Sequence, residues 1–507
     1  MADYTPNPPF TGARILRTGI ILLLLTAAGI LIHGYHYGIE DSAIYLPAIR
    51  RDLNPALYPH DSVFFRPQTN ATMIGPLVAG SVRLLHVRVA TAVFGWHVAS
   101  LFLFLMGCWL VAARVFPSEK ARFGAVATIT ALLTITVAGT GLYLADQYLQ
   151  PRTLATAFVL FAMFTVLPRH EVQSVSIWRM IVAAVWLALA ACVHIMMAAY
   201  GALMIVFLLM PWERGHRGEL HYALLLFPLR TLFEKASPQW EEATRTRTYL
   251  FVLRWEWYEW LGIIAPAFLL WWLASVAHKK RLSLLRNLTR RTLYFTVFSL
   301  VAGLALILPP QFERLTPYQP LRTFHLVYIV MFLIIGGMLA EYVLKGYIWR
   351  WLVLFVPLCA GMWYSQRVLF PDSRHVEWPG LSTGNAWVQA FDWVKANTPQ
   401  DAYFVMDPHY ITLPGEDYHG FRGLAERSQM ADWGKDPGMV SLFPDVAVRW
   451  HNEVHAQNGW KNFQAADFER LKQQFGVNWA ILTKNGKAPV LQDCPYQNSA
   501  VYVCKIE

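Results

Sequence analysis

Residues 15–47 read ILRTGIILLLLTAAGILIH followed by GYHYGIEDSAIYLP. The first part, residues 15–33, is apolar and long enough to cross a bilayer, which takes about 20 residues. No clean small-x-small cleavage site follows it, so it reads as a membrane helix and not as a signal peptide. Arg14 and Arg17 at its start put the N-terminus on the cytoplasmic side by the positive-inside rule. The aromatic, His-containing and acidic stretch after it then opens a first outer loop, residues 34–72.

The rest of the chain agrees with this start. Of its 507 residues, 55% are apolar and 15% charged, against about 45–50% and about 25% in soluble domains. The mean hydropathy is +0.33. This excludes an ordinary soluble protein and a disordered chain. Size and only five cysteines exclude a disulfide scaffold. Further spans are expected at residues 91–115, 123–143, 153–167, 178–194, 197–210, 258–277, 292–308, 323–343 and 351–370. Arg83 interrupts the apolar run 74–86, which reads as an interfacial or re-entrant helix. The formal net charge of +10 resides largely in short stretches between spans, the densest being Lys279, Lys280, Arg281, Arg286, Arg290 and Arg291. Arg114, Lys120 and Arg122, then Arg169 and Arg179, then Arg214 and Arg217, and later Lys345 and Arg350 fall on the same side. This pattern fits a cytoplasmic N-terminus, and no nucleic-acid motif accompanies the charge. Counting 219–233 as a short crossing gives about eleven spans; counting 178–210 as one crossing gives about nine. Eleven is preferred, because nine would put Arg214 and Arg217 outside.

The composition turns polar near Pro371. The expected architecture is therefore a polytopic α-helical membrane domain, residues 1–370, with a small extracytoplasmic α/β domain, residues 371–507. Within the latter, 385–397 and 463–475 have helical spacing, and 402–406, 479–483 and 501–506 read as strands. Cys494 and Cys504 either pair in an oxidising compartment or remain thiols. No internal repeat is evident.

Four outer stretches carry groups that chemistry needs. Glu40 and Asp41 are adjacent, among His33, His36 and several tyrosines. Neighbouring carboxylates in a confined site resist joint ionisation, so one pKa should rise, which suits a general base acting on a hydroxyl. The alternative is a solvated helix start with Asp41 as N-cap. Asp146 and Arg152 flank Pro151, which suits a first helical turn; Arg152 either grips a phosphate with its planar fork or snorkels. Arg314, Gln319, Arg322 and His325 cluster at the start of another span, where a phosphate would offset the cost of Arg322. In R-W-E-W-Y-E-W, residues 254–260, the aromatics fit an outer interfacial belt; Trp257 also offers a stacking face for a sugar, and Glu256 and Glu259 offer hydroxyl acceptors. His194 is read as structural. No His-x-x-x-His or Cys-x-x-Cys spacing is read in the outer loops. Neither a Walker A sequence nor a dinucleotide fingerprint is present, and mid-span charges are scarce, which counts against ATP-driven and ion-coupled transport.

With these residues in view, the chain resembles the GT-C superfamily of integral-membrane glycosyltransferases, and most closely bacterial GT-C-like membrane proteins. The likeness rests on the Tyr-Gly-Ile-Glu-Asp stretch at 37–41, Pro151-Arg152, Gln319-Pro320-Leu321-Arg322 and the Trp-Glu-Trp-Tyr-Glu-Trp stretch at 255–260. In the tail it rests on Asn397-Thr398-Pro399, Gly420-Phe421-Arg422 and Ala425-Glu426-Arg427-Ser428. The short helix pair around His194 also fits. The resemblance implies sugar transfer from a polyprenyl-phosphate donor to a glycan, lipid or protein acceptor on the outer face of a bacterial inner membrane. Asp41, then Glu40, become candidates for the base or acceptor-orienting group. Arg152 and Arg322 become candidates for the donor phosphate. Asp146, Glu256, Glu259, Trp257 and His36 are candidates for acceptor or sugar, and Asp146 also for a divalent metal, Mg or Mn. No Asp-x-Asp occurs in the first outer loop, which leaves the metal in doubt. In the tail, Asp407, Asp417, Arg422 and Arg427 line a groove or, preferentially, form a structural ion-pair network. The rival class is a non-catalytic GT-C-like protein, a transporter or a structural partner in envelope polysaccharide assembly.

Overall fold

The computed structural model describes residues 12–168, 175–210, 236–484, 486 and 488–507. The chain begins with α1 (Gly12–His33), α2 (Ser42–Leu53), the short α3 (Ile74–Leu85), α4 (Val89–Val115) and α5 (Glu119–Ala131). Next come α6 (Pro151–Val166), α7 (Ile177–Val193), α8 (Ile195–Leu209) and the polar α9 (Pro238–Arg245). The long apolar helices α10 (Trp257–Lys279), α11 (Ser283–Ile307), α12 (Phe324–Leu339) and α13 (Ile348–Leu369) complete the helical part. Among the described residues six segments are long and apolar enough to cross a membrane: α1, α4, α10, α11, Pro310–Leu344 around α12, and α13. The chain is thus a multi-pass membrane protein. Its outer helices keep lipid-facing surface, as Trp271 and Val353 show at 63% and 66% exposure. The crossing expected at 219–233 lies outside the described residues, as do Arg169, Arg214 and Arg217. At 12 residues, α3 is too short to span, as expected.

Close helix contact depends on small residues. A Cβ on Gly124 of α5 would lie 2.3 Å from Ala340 Cβ, and one on Gly336 of α12 would lie 2.6 Å from the Gly124 carbonyl. Backbones that approach this closely gain dispersion contacts where lipid supplies no hydrophobic drive.

The spans expected at 153–167, 178–194 and 197–210 are apolar helices of 16, 17 and 15 residues, α6, α7 and α8, shorter than the six. The span expected at 123–143 differs more. The helix predicted over 123–143 ends at Ala131, and residues 132–150 run as irregular, mostly buried chain. The local sequence T-I-T-V-A-G-T-G explains the break, since β-branched residues and glycines disfavour helix. A tight hairpin replaces it: Val137 N–H donates to the Leu142 carbonyl at 2.8 Å, and the Thr140 hydroxyl to the Val137 carbonyl at 2.6 Å. Trp255 seals the hairpin, with ring atoms 2.4 Å from where a Gly139 Cβ would stand. Non-helical backbone near a membrane is tolerated where protein buries it or it lines a cavity.

After α13 follow α14 (Ala386–Asn397), β1 (Tyr403–Met406), β2 (Ser428–Gln429), α15 (Asp436–Leu442), α16 (Ala447–Ala456), α17 (Ala465–Phe475), β3 (Trp479–Thr483), β4 (Tyr496–Gln497) and β5 (Val501–Lys505). The sheet order is β2-β1-β3-β5-β4; β1 runs parallel to β2 and β3, and β5 antiparallel to β3. Alternation sorts the strand residues by face. Phe404, Met406 and Ile481 join a core with Trp387 and Phe391 of α14, while Tyr403, Val405 and Ala480 pack with Phe468 and Leu471 of α17. Cys494 and Cys504 form a disulfide.

The loop between α1 and α3 is woven into this region. Tyr35 N–H donates to the His375 carbonyl at 3.0 Å and Glu377 N–H to the Tyr35 carbonyl at 2.8 Å. Glu40 N–H donates to the Tyr418 carbonyl at 2.9 Å and Gly420 N–H to the Gly38 carbonyl at 2.8 Å. Two buried charge clusters lock the contact. Arg422 donates to Asp61 of the loop at 2.6 Å and to both Asp436 oxygens at 2.7 and 2.9 Å. Glu377 accepts from Tyr37 N–H at 2.8 Å and lies 3.5 Å from His36 and 3.4 Å from His419.

Arg422→Met should destabilise the protein by about 3–5 kcal/mol, because Asp61 and Asp436 would be left buried and unpaired; thermal unfolding in detergent measures it. The Glu377 cluster carries a pH signature. Burial lowers the His419 pKa, but Glu377 outweighs it and holds it above 6.5. Burial raises the Glu377 carboxyl, but His419 and His36 outweigh it and hold it below 4.5. The histidine's share of stability is therefore full below pH 6.5 and lost as pH rises through its folded value. The carboxylate's share is present above pH 4.5 and lost as pH falls through its own folded value. Glu377→Gln should thus lower the melting temperature more at pH 6 than at pH 9.

Candidate active site

The backbone bonds just described fix Glu40 in a left-handed turn, φ 51°. Asp41 follows at the N-cap position of α2, yet its side chain makes no capping hydrogen bond. The carboxylate turns instead into a recess and keeps 35% of its side-chain surface accessible. The irregular segment 132–150 supplies one wall. Gln150 donates to Asp41 Oδ2 at 2.8 Å. Arg152, in the first turn of α6 behind Pro151, reaches the same oxygen at 3.9 Å. Its guanidinium is held by Asp146 as a two-pronged pair, at 3.0 and 2.6 Å. Such forks fix direction as well as charge.

The C-terminal region supplies the opposite wall. Lys435, just before α15, pairs with Glu40 and lies 3.6 Å from Asp41 Oδ1. Arg247 donates to the Lys435 carbonyl at 2.8 Å. Arg322, just before α12, adds its charge to the same carboxylate. It donates to the Thr140 carbonyl at 3.1 Å and lies over the Tyr249 ring, 5.3 Å from its centroid. Thr140, Tyr249, Trp255, Gln319 and Arg322 line a crevice there.

Four cations thus act on one carboxylate. Burial would raise the Asp41 pKa, but Lys435, Arg152, Arg322 and Arg247 outweigh it and lower it. The expectation of a raised pKa does not hold for Asp41, because opposite charges within reach exceed the cost of desolvation.

For Mg or Mn the sequence offers Asp146, with Asp41 and Glu40 beside it in this recess. The three carboxylates at hand are already committed, Asp146 to Arg152, Glu40 to Lys435, and Asp41 to Gln150 and the surrounding cations. A divalent ion needs acidic or carbonyl oxygen ligands, and a recess dominated by positive groups repels it. This recess fits an anion and does not fit a divalent metal.

The structure brings Asp41, Glu40, Asp146, Arg152 and Arg322 together. It places the others elsewhere. His36 is 1% exposed, against Glu377 and the Phe370 ring. Glu256 and Glu259 form the capping box of α10, and Trp257 is 74% exposed at its start, as an interfacial belt requires. His194 caps α8 by accepting from Met197 N–H at 3.3 Å. In the tail, Arg422 belongs to the buried ion-pair cluster, and Arg427 donates to Thr398 and Lys395 carbonyls. Asp417 accepts from Asp372 N–H and Asp407 from His409 N–H. Sequence reasoning missed Lys435, Arg247 and Gln150. None stands in a recognisable motif, although Gln150 adjoins Pro151-Arg152.

A family described as a domain of unknown function, DUF6798, matches residues 385–452. No curated protein sequence matches the chain. Among solved structures, the chain is similar to archaeal oligosaccharyltransferase AglB from Archaeoglobus fulgidus, in complex with an inhibitory peptide and a dolichol-phosphate. That match has 10% identity and a TM-score of 0.49, and covers 93% of this chain and 70% of AglB. The apo oligosaccharyltransferase of the same organism matches at 11% identity, TM-score 0.42, over 92% of this chain and 69% of its own. Arabinofuranosyltransferase AftD from Mycobacteria matches at 14% identity and a TM-score of 0.49, over 99% of this chain and 40% of AftD.

Proposed function

We propose that the protein is a GT-C-type membrane glycosyltransferase that moves a sugar from a polyprenyl-phosphate donor to an acceptor hydroxyl or amide outside the cytoplasm. The observation that carries this reading is the convergence of Arg152, Lys435, Arg322 and Arg247 on the accessible Asp41 carboxylate. Residues 371–507 form the extracytoplasmic domain in this reading, residues 1–370 the membrane domain, and a bacterial inner membrane with a cytoplasmic N-terminus is the setting.

The chemistry divides between the two signs of charge. When the sugar C1–O bond breaks, its electron pair goes to the phosphate, where negative charge develops. Cations already fixed by Asp146, Glu40 and two backbone carbonyls meet that charge without reorganising. Arg152 and Arg322 are the closest to the membrane segments from which a lipid-borne phosphate arrives. Asp41 orients the acceptor and takes its proton. With the recess empty of phosphate it is a weak base, because the cations hold it ionised. A bound donor phosphate would draw those same cations and raise the Asp41 pKa toward the range where proton abstraction is favourable. Donor binding and activation of the base are coupled in this way.

Two outcomes follow. Asp41→Asn should keep the donor lipid bound but lower sugar transfer by about 10²–10⁴-fold. Mass spectrometry of lipids co-purified in mild detergent should show a polyprenyl-phosphate sugar in both forms, accumulating in the variant. Ordinary phospholipids alone in both would favour a non-catalytic envelope protein. Arg322→Gln should act on the donor instead. Loss of one charged contact costs about 1.5–3 kcal/mol, so donor affinity should fall by roughly 10- to 100-fold, read as a raised KM for donor with acceptor KM little changed.

A further inference from the structure

A second constellation lies outside the recess and shares no residue with it. On α16, His451 and His455 are spaced i, i+4, so both rings stand on one face one turn apart. Their centroids are 4.0 Å apart. Glu242 of α9 meets them from the other chain segment. Its Oε2 lies 2.7 Å from His451 Nδ1 and its Oε1 2.7 Å from His455 Nε2. One ligand atom from each of the three residues lies within 4.8 Å of the others. We propose that Glu242, His451 and His455 bind a zinc-type divalent ion that clips α9 to α16.

The donor set fits the ion. Two imidazoles and one carboxylate with a fourth position open are a recognised zinc arrangement, and imidazole selects borderline metals over Mg or Ca. Partial exposure, 31% for Glu242 and His451 and 40% for His455, leaves room for water in the fourth position. The supporting parts are rigid. Ser237 caps α9, Trp240 donates to the Ser441 carbonyl at 3.1 Å, and Trp450 donates to the Asp432 carbonyl at 3.0 Å. Asn458 Nδ2 lies 3.2 Å from His455 Nδ1; with Nε2 on the ion Nδ1 carries the proton, and the Asn458 amide turned over presents its Oδ1 to accept from it and fix the ring. The open position would suit a catalytic ion, but the general base that a zinc hydrolase sets beside it is absent among the described residues, so the ion's role here is to tie the two helices. A zinc protease helix has a glutamate next to the first histidine, where this chain has Asn452. Glu453 is directed away, to Arg449 at 2.6 Å and Ala431 N–H at 2.8 Å.

The test uses the full chain in detergent, purified through a tag without histidines and stripped with EDTA. Zinc chloride titration by calorimetry should give one ion per chain with a dissociation constant below about 1 µM, and a higher melting temperature. Cobalt in its place should give the visible absorption of a four-coordinate ion. His451→Ala with His455→Ala, and separately the milder Glu242→Gln, should remove the zinc-dependent rise. Their melting temperatures in EDTA, compared with wild type, report whether they fold. No saturable binding by wild type at 100-fold higher zinc, or equal uptake by folded variants, would overturn the assignment.

Discussion

Four positive groups around one small recess would repel one another unless each were compensated before any ligand arrives. Arg152 is held by Asp146, Lys435 by Glu40, Arg322 by the Thr140 carbonyl, and Arg247 by the Lys435 carbonyl. Asp41 is the remaining shared counter-charge. Most of the surrounding architecture serves this arrangement. The break after α5 places Thr140, Asp146 and Gln150 beside the recess, and the backbone bonds between loop 34–41 and the C-terminal region bring Glu40 and Asp41 to Lys435.

That dependence explains why the loop between α1 and α3 and the C-terminal region are not separable layers. Asp61 lies 0% exposed against Arg422, and Tyr58 donates to the Arg422 carbonyl at 2.8 Å. The buried charges cost desolvation that their mutual contacts offset only in the native geometry. Their value is specificity: a shift of the C-terminal region would break several ion pairs at once, and Lys435 would leave the recess.

Much of the fold was legible in the sequence. Long apolar runs located α4, α10, α11, α12 and α13 to within a few residues, except that α11 begins earlier, at Ser283, because its first turns are cationic. Short runs rich in aromatic and β-branched residues located β1, β3 and β5. Residues 123–143 misled, since their hydropathy is that of a span while their Thr, Val and Gly content favours a break. The pairing of Cys494 with Cys504 was open, because spacing alone does not bring two strands into register.

By itself the sequence determined that the chain carries several membrane-length apolar runs, that its composition turns polar near Pro371, and that Asp41, Asp146, Arg152 and Arg322 lie in polar stretches between apolar ones. Each is a local property, set by hydrophobic length, periodicity or the cost of a charge at the bilayer edge. Only the tertiary structure decided that Lys435 and Arg247 join them, that Asp41 is held ionised, and that Glu242 faces His451 and His455 across some 200 residues of chain. Electrostatic interaction falls off with distance in space and is indifferent to separation in sequence, so charge pairing of this kind has no local signature to read.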